Sequence, residues 1–212
     1  MVTVFADVVC PFTHVGLKKL TELRDRLGSS RRLLVNAWPL EWVNGTPLEA
    51  AKVAEEVAAL RAEIAPDLFV GFDAGTFPRT SIPALALASL AYAHDLATGE
   101  SVSLALRDAL FEQGLDVSDD AVLSKIAAAH DLDAREVDVE SVRAEYAEGR
   151  RRGVEGSPYF FVDGEGYFCP SLDISHTDEG FVIEFDSAGF DDLAARAFGP
   201  AELWRVPGGE DG

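Results

Sequence analysis

The hydrophobic positions at the start of the chain change from strand spacing to helix spacing and back. A short apolar run over residues 2–6 predicts a strand. Apolar positions at helical spacing, followed by a glycine, predict a helix: Val15, Leu17, Leu20, Leu23, Leu27 and Gly28. A second mostly apolar run, residues 33–40, reaches Pro39 as a strand end would. A strand, a helix and a strand of this size predict a right-handed βαβ unit with a parallel strand pair.

The middle of the chain, residues 47–152, has helix spacing almost throughout. The sequence from Thr46 to Glu49 (Thr-Pro-Leu-Glu) has the form of a capping box with proline at the first helical position, and predicts a helix start there. Further helices are predicted over residues 83–98 with Gly99 as the cap, over 101–112, from 118 to about 129, and over 139–152.

Strand spacing returns after residue 153. Residues 159–162 and 167–168 flank Asp163-Gly164, a strong hairpin signal. Residues 181–185 predict another strand, and 190–198 a last helix before a tail that we expect to be frayed. The predicted fold class is therefore α/β. One α/β domain consists of residues 1–46 and 153–212, and residues 47–152 form an inserted all-helical domain.

Cys10 follows the first strand and lies at the start of the first helix. Unpaired N–H groups and the helix dipole favour an anion such as a thiolate at this position. Thr13 can donate a hydrogen bond to the sulfur or cap the helix, and His14 can supply a positive charge or transfer a proton. We therefore expect the pKa of Cys10 to be lowered by about two units, or about 2.7 kcal/mol. The alternatives are a buried, inert Cys10 and a partly exposed His14.

Composition and net charge limit the classes of binding partner and indicate the cellular compartment. The chain has 18 basic and 37 acidic residues, a net charge of −19, which would repel phosphate backbones and anionic lipid. We therefore expect neither nucleic acid nor a membrane as partner. No long apolar run or signal-peptide pattern is present, and two cysteines make no disulfide framework, so we predict a cytoplasmic protein. The histidines and carboxylates show no metal-ligand spacing, and we predict no metal.

Two segments of the sequence resemble motifs of a known protein family. The first is Cys10-Pro11-Phe12-Thr13, between a strand and a helix, and the second is the run Gly-Val-Glu-Gly-Ser-Pro-Tyr-Phe over residues 153–160. They resemble the Cys-Pro-Trp-Cys motif and the cis-proline segment of the DsbA family of thioredoxin-like proteins, in particular its FrnE-like branch. The resemblance implies a thioredoxin-like fold with a helical insertion. Thr13 stands where that family has its resolving cysteine.

The resemblance also implies roles for individual residues. Cys10 and Thr13 would be catalytic. The residues that would bind a thiol or disulfide substrate are Pro11, Phe12, His14, Ser157 and Pro158, the last with a cis peptide bond. Cys169 would be either a resolving thiol or an ordinary packed cysteine. Arg79 would either bind a carboxylate of a thiol tripeptide or be a solvated loop residue.

The function expected from the resemblance is that of a DsbA-like thiol-disulfide oxidoreductase working through Cys10. It would hold no tightly bound cofactor and would use an external low-molecular-weight thiol such as glutathione or mycothiol. One alternative is an isomerase or transferase like the 2-hydroxychromene-2-carboxylate isomerases and kappa-class glutathione transferases, which carry Ser at the position of Cys10. Another is a non-catalytic thioredoxin-like binding module. The substrate and the oligomeric state are not predicted.

Overall fold

A four-stranded sheet forms the centre of the α/β part. The computed structural model describes residues 1–170, 172–177 and 180–199. The strands are β1 (Val2–Ala6), β2 (Leu33–Ala37), β3 (Tyr159–Val162) and β4 (Glu165–Phe168), in the order β2-β1-β3-β4. β1 is parallel to β2 and antiparallel to β3, and β3 and β4 form the expected hairpin. The predicted βαβ unit is confirmed, because β1 and β2 pair in parallel across α1 (Pro11–Arg26).

Helices account for most of the chain between β2 and β3. They are α2 (Leu40–Asn44), α3 (Ala50–Glu63), α4 (Ile82–His94), α5 (Leu96–Phe111), α6 (Asp120–Ala128) and α7 (Val139–Arg151). Short 3-10 turns lie at Ala74–Thr76 and Ala134–Glu136. After β4, a separate antiparallel pair joins β5 (Leu172–Thr177) to β6 (Gly180–Phe185), and α8 (Ser187–Phe198) follows. The expectation of a frayed tail concerns residues 200–212, outside those described.

Two large hydrophobic cores meet at the turn between β1 and α1. One core packs α1 and α8 against the sheet and includes Val4, Leu17 and Leu193. The other lies among the helices of the middle of the chain, and it includes Val9 and Val15 from either side of Cys10. Because apolar burial on both sides fixes this turn, the Cys10 backbone is held at the junction of the sheet and the helices.

The helix predicted over residues 83–98 is present as α4, but its predicted end at Gly99 is wrong. The chain turns at Asp95, whose side chain accepts hydrogen bonds from the Ala97 and Thr98 amides and so caps the start of α5. Gly99 lies inside α5, where a Cβ would come within 2.1 Å of the Tyr92 ring. The glycine therefore permits close packing of α4 on α5 rather than a left-handed helix end.

The capping box predicted over Thr46–Glu49 is also wrong. α3 begins at Ala50, and its N-cap residue is Glu49, with no side-chain cap. The short helix α2, which was not predicted, ends at Gly45 in the left-handed conformation, with φ of 73°. The turn residues Asn44 and Gly45 therefore terminate a helix, and the segment after them is a connection. Among the described residues, no helix is long and apolar enough to cross a membrane.

Candidate active site

Cys10 is the N-cap residue of α1. Its backbone is extended, with φ of −84° and ψ of 114°, and Pro11 is the first helical residue. The side chain is 2% exposed, and Sγ donates a hydrogen bond to the Ser157 carbonyl oxygen at 3.2 Å. The Ser157–Pro158 peptide bond is cis. Residues almost 150 positions apart thus meet at the sulfur of Cys10.

The hydroxyl group of Ser157 joins this contact to the rest of the turn. It accepts a hydrogen bond from the Asp7 amide at 2.9 Å, and it lies 3.0 Å from the Thr13 hydroxyl. Thr13 itself is fully buried. Cys10, Thr13 and Ser157 therefore form one hydrogen-bonded group, in which the hydroxyls lie beneath the thiol.

The acidity of Cys10 departs from the sequence-based expectation. Burial is the largest effect and raises the pKa of the Cys10 thiol, while the Thr13 hydroxyl and amide and Ser157 act to lower it. The nearby carboxylate of Glu56 raises the pKa further. The expected fall of about two units neglected this burial, so the resting group is the thiol, which donates its proton to Ser157.

Cys169 lies beside the same turn. Its amide donates to the Pro158 carbonyl oxygen at 3.0 Å, just beyond the pairing of β3 with β4, and its φ is 42°, a value unusual for a residue with a side chain. Burial, and then negative charge at Cys10, raise the pKa of Cys169 to about 12. Both cysteines are free thiols.

A cavity of about 500 Å³ opens on the two cysteines. Its walls come from the turn at Cys10, from α2 and α3, and from the segment around the cis peptide bond. The residues that line it are Cys10, Pro11, Phe12, Leu40, Val43, Asn44, Leu48, Glu56, Glu155, Gly156, Ser157, Phe168 and Cys169. Apolar side chains predominate, and the volume is that of a small-molecule site.

Other site residues expected from the sequence lie next to the cavity or apart from it. Thr13 and Pro158 support its floor through the contacts above. His14 points elsewhere: Nε2 lies 2.7 Å from Glu112 Oε1, and the ring packs between Phe69 and Phe111. Burial lowers the pKa of His14, so the side chain is neutral near pH 7. It fastens α1 to the helical part and gives Cys10 no positive charge.

Asp7 is a buried carboxyl group that the sequence reasoning missed. It accepts hydrogen bonds from the Val9 amide at 3.3 Å, the Leu40 amide at 2.6 Å and the Ser81 hydroxyl at 3.1 Å. Burial nevertheless raises its pKa to about 6. Asp7 thus ties the turn before Cys10 to α2 and α4. Its isolation within the apolar residues 4–9 was the available signal of a buried, structural carboxylate.

Arg107 is a second missed group, on α5. The residue is 2% exposed, and its guanidinium donates to the Ser103 carbonyl and hydroxyl oxygens, each at 2.8 Å, and to the Asp7 carbonyl oxygen at 3.3 Å. Burial lowers the pKa of Arg107, and negative charge at Cys10 acts to raise it. The buried cation is therefore placed to attract a thiolate at Cys10. Its position beside Leu106 and Leu110 on a helix was the available signal.

The described residues contain no cluster of three or more side chains able to hold a metal ion. The arrangement combines the buried thiol of Cys10 at a helix N-terminus with the hydroxyl groups of Thr13 and Ser157. The guanidinium of Arg107 lies on the interior side, and the cavity lies on the other. These are the parts of a site for nucleophilic sulfur chemistry.

Comparisons with known proteins agree with this arrangement. A family model described as "DSBA-like thioredoxin domain" matches residues 1–178. A probable DsbA oxidoreductase of Streptomyces coelicolor is similar over 99% of this chain and 93% of its own, with a TM-score of 0.61 and 19% identity. A 2-hydroxychromene-2-carboxylate isomerase is similar over 79% of this chain and 87% of its own, with a TM-score of 0.59 and 14% identity. These likenesses establish the fold. No curated protein matches by sequence.

Proposed function

The chain belongs to the DSBA-like thioredoxin domain family, and from this premise we propose that it is a thiol-disulfide oxidoreductase that works through the single thiol of Cys10. The observation that carries the proposal is the environment of that sulfur. Cys10 occupies a helix N-terminus, bonds to the residue before the cis-proline, and opens on a cavity large enough for a small disulfide or an extended side chain.

The reaction proceeds by two exchanges. The Cys10 sulfur loses its proton and attacks one sulfur of a substrate disulfide, forming a Cys10–S–S–R bond while the substrate S–S bond breaks. The departing thiolate takes up the proton. A second thiol then loses its proton and attacks the outer sulfur of the mixed disulfide, the bond to the Cys10 sulfur breaks, Cys10 takes up a proton, and the new disulfide leaves. Arg107 and the N-terminus of α1 stabilise Cys10 during the interval in which it is a thiolate.

Thr13 decides how the mixed disulfide is resolved. In a Cys-x-x-Cys pair the second cysteine attacks the first at high effective concentration, and a hydroxyl group cannot perform this step. Cys169 lines the cavity, but burial raises the pKa of its thiol and so disfavours the thiolate that would attack the mixed disulfide. The proposal is therefore that an external low-molecular-weight thiol completes the cycle.

The test is oxidation of the reduced protein with bis(2-hydroxyethyl) disulfide, followed by non-reducing mass analysis. We expect one adduct, on Cys10, which added thiol removes, and turnover that scales with the thiol concentration. Thr13→Cys is the matched comparison, and it should form an internal disulfide and lose this dependence. A Cys10–Cys169 disulfide in the unaltered chain would make Cys169 the resolving residue. Absence of any reaction at Cys10 would leave a binding module.

One observation favours a second candidate, a thiol-dependent isomerase or transferase. Apolar side chains such as Phe12, Leu48 and Phe168 line the cavity in front of Cys10. Thr13 also occupies the position at which a Cys-x-x-Cys motif has its second redox cysteine. Such a site could hold a small aromatic substrate beside a thiol. Thiol-dependent conversion of an aromatic substrate with no Cys10 adduct would favour this candidate over the oxidoreductase.

A further inference from the structure

Apart from the two cysteines, the ionisable side chains described as lining the cavity in front of Cys10 are all acidic. They are Glu56, from α3, and Glu155, from the segment before the cis peptide bond. Among the described residues that line it there is no lysine, arginine or histidine. The net charge of −19 over the whole chain has the same sign.

Glu56 faces the cavity from the apolar side of α3. It lies at helical spacing with Val53 and Leu60, which are buried, and it makes no hydrogen bond or ion pair with the part of the chain that the structure describes. Burial raises the pKa of Glu56 to about 7. The carboxylate also raises the pKa of Cys10, which means that a negative charge at the sulfur is within range of its repulsion.

The cations near the cavity lie outside its described lining, although the charge of Lys52 acts to lower the pKa of Glu56 and Arg150 lines an adjacent pocket with Glu155. Lys52, one turn before Glu56, pairs with Glu49 at 3.5 Å on the exposed surface. Arg152 lies over the ring of Phe161, 3.7 Å from its centroid. Arg79, one candidate for binding a carboxylate, is not among the lining residues. Arg107 lies behind Cys10 in the interior, so it can attract the Cys10 thiolate without reaching the cavity.

We propose that this cavity selects neutral or cationic thiols and disulfides and disfavours those that carry carboxylates. The proposal rests on the proposed function and narrows its substrate class. A group that exchanges with Cys10 occupies a cavity lined by Glu56 and Glu155, and above about pH 7, where Glu56 is ionised, a carboxylate there meets two like charges and no cation among the described lining residues. Glutathione has two carboxylates and is therefore disfavoured, whereas mycothiol, which has none, is compatible with the cavity.

Three small disulfides of similar size and different charge test this selection: cystamine, bis(2-hydroxyethyl) disulfide and dithiodiglycolate. The rate of Cys10 adduct formation is measured by mass at pH 8 and low ionic strength. Each rate is divided by that of 2-mercaptoethanol with the same disulfide, which removes the intrinsic reactivity of the probe. We expect cystamine to react fastest and dithiodiglycolate slowest, with a spread of about tenfold that narrows in high salt.

Variants assign the effect to the cavity. Glu56→Gln and Glu155→Gln should each narrow the spread, while Glu63→Gln, at the exposed end of the same helix, removes the same charge away from the cavity and should not. Any change in the pKa of Cys10 affects the rates of all three disulfides equally, so it cancels when those rates are compared within one variant. Equal corrected rates for the three probes would overturn the proposal, as would equal effects of Glu56→Gln and Glu63→Gln. Failure of every probe to react at Cys10 would instead overturn the proposed function.

Discussion

Two walls of one cavity each present a buried cysteine, and they differ in what surrounds the sulfur. Cys10 is 2% exposed and Cys169 is 8% exposed, and burial raises the pKa of both thiols. At Cys10, the Thr13 hydroxyl and amide and Ser157 oppose that rise, and the buried guanidinium of Arg107 lies behind the turn. At Cys169, no comparable group in the described part of the chain lowers the pKa of the thiol.

This contrast shows that burial alone does not determine the role of a cysteine. Both residues line the cavity, so the same ligand can contact both. The wall at Cys10, however, supplies donors that stabilise a developing negative charge. At Cys169 the backbone amide donates to the Pro158 carbonyl oxygen, and the positive φ strains the backbone of Cys169 itself. Reactivity should therefore follow the polar groups and not the exposure of the sulfur.

The largest expected effect comes from exchanging each sulfur for oxygen. Cys10→Ser should abolish adduct formation with a small disulfide, because among the described residues that line the cavity only Cys10 has hydrogen-bond donors that lower the pKa of its thiol. Cys169→Ser, the matched change on the opposite wall, should leave the rate within about twofold of the unaltered protein. Mass analysis after timed exposure to bis(2-hydroxyethyl) disulfide gives both rates. Loss of turnover in Cys169→Ser, with the Cys10 adduct still formed, would place Cys169 in the resolving step.

The next effect concerns the buried network that supports the wall at Cys10. The pKa of Asp7 is raised from its ordinary value of 3.8 to about 6, so the folded protein binds more protons than the unfolded chain between these values. The contribution of Asp7 to stability is fully present below about pH 4 and is lost as pH rises through about 6. At about 1.36 kcal/mol for each pKa unit, the loss is about 3 kcal/mol.

Asp7→Asn should remove this pH dependence. The free energy of unfolding, measured by urea titration from pH 4 to 7, should fall less steeply with pH in the variant than in the unaltered protein. Asp67→Asn, at an exposed position, is the control and should track the unaltered protein. Parallel curves for Asp7→Asn and the unaltered protein would show that Asp7 stays ionised throughout this range.

A smaller effect is expected from the hydroxyl beneath Cys10. Thr13→Val keeps the shape of the side chain and removes the donor, so the pKa of Cys10 should rise by about half to one unit, or about 1 kcal/mol. Thr21→Val is the control, because Thr21 is a buried threonine of the same helix whose hydroxyl donates to the Leu17 and Lys18 carbonyl oxygens. An unmoved Cys10 titration in Thr13→Val would assign the stabilisation of the thiolate to Ser157, the helix N-terminus and Arg107.

Local sequence signals predicted the framework well and the electrostatics of the site poorly. The strand over residues 2–6, the parallel βαβ unit and the hairpin around Asp163-Gly164 follow from short-range periodicity and turn chemistry, and all are present. The position of Cys10 at a helix start also follows from local sequence. Its acidity does not, because burial depends on helices that lie 30 to 100 residues further along the chain.

His14 and Arg107 illustrate the same limit. Proximity in sequence suggested that His14 would supply the positive charge near Cys10, yet its ring turns toward Glu112 and is neutral. The cation near this turn is Arg107, 97 positions away, brought there by the packing of α5. Pairings of this kind come from tertiary packing, which hydrophobic periodicity does not specify.

The most direct test of the central claim is competitive alkylation of the two cysteines in one native sample. Iodoacetamide labelling is followed by peptide mass from pH 7 to 10, so that Cys10 and Cys169 report on each other under identical conditions. We expect Cys10 to be labelled faster at every pH, with a rate that still rises at pH 9 because burial raises its pKa. Labelling of Cys169 at an equal or greater rate would contradict the assignment of Cys10 as the reactive thiol.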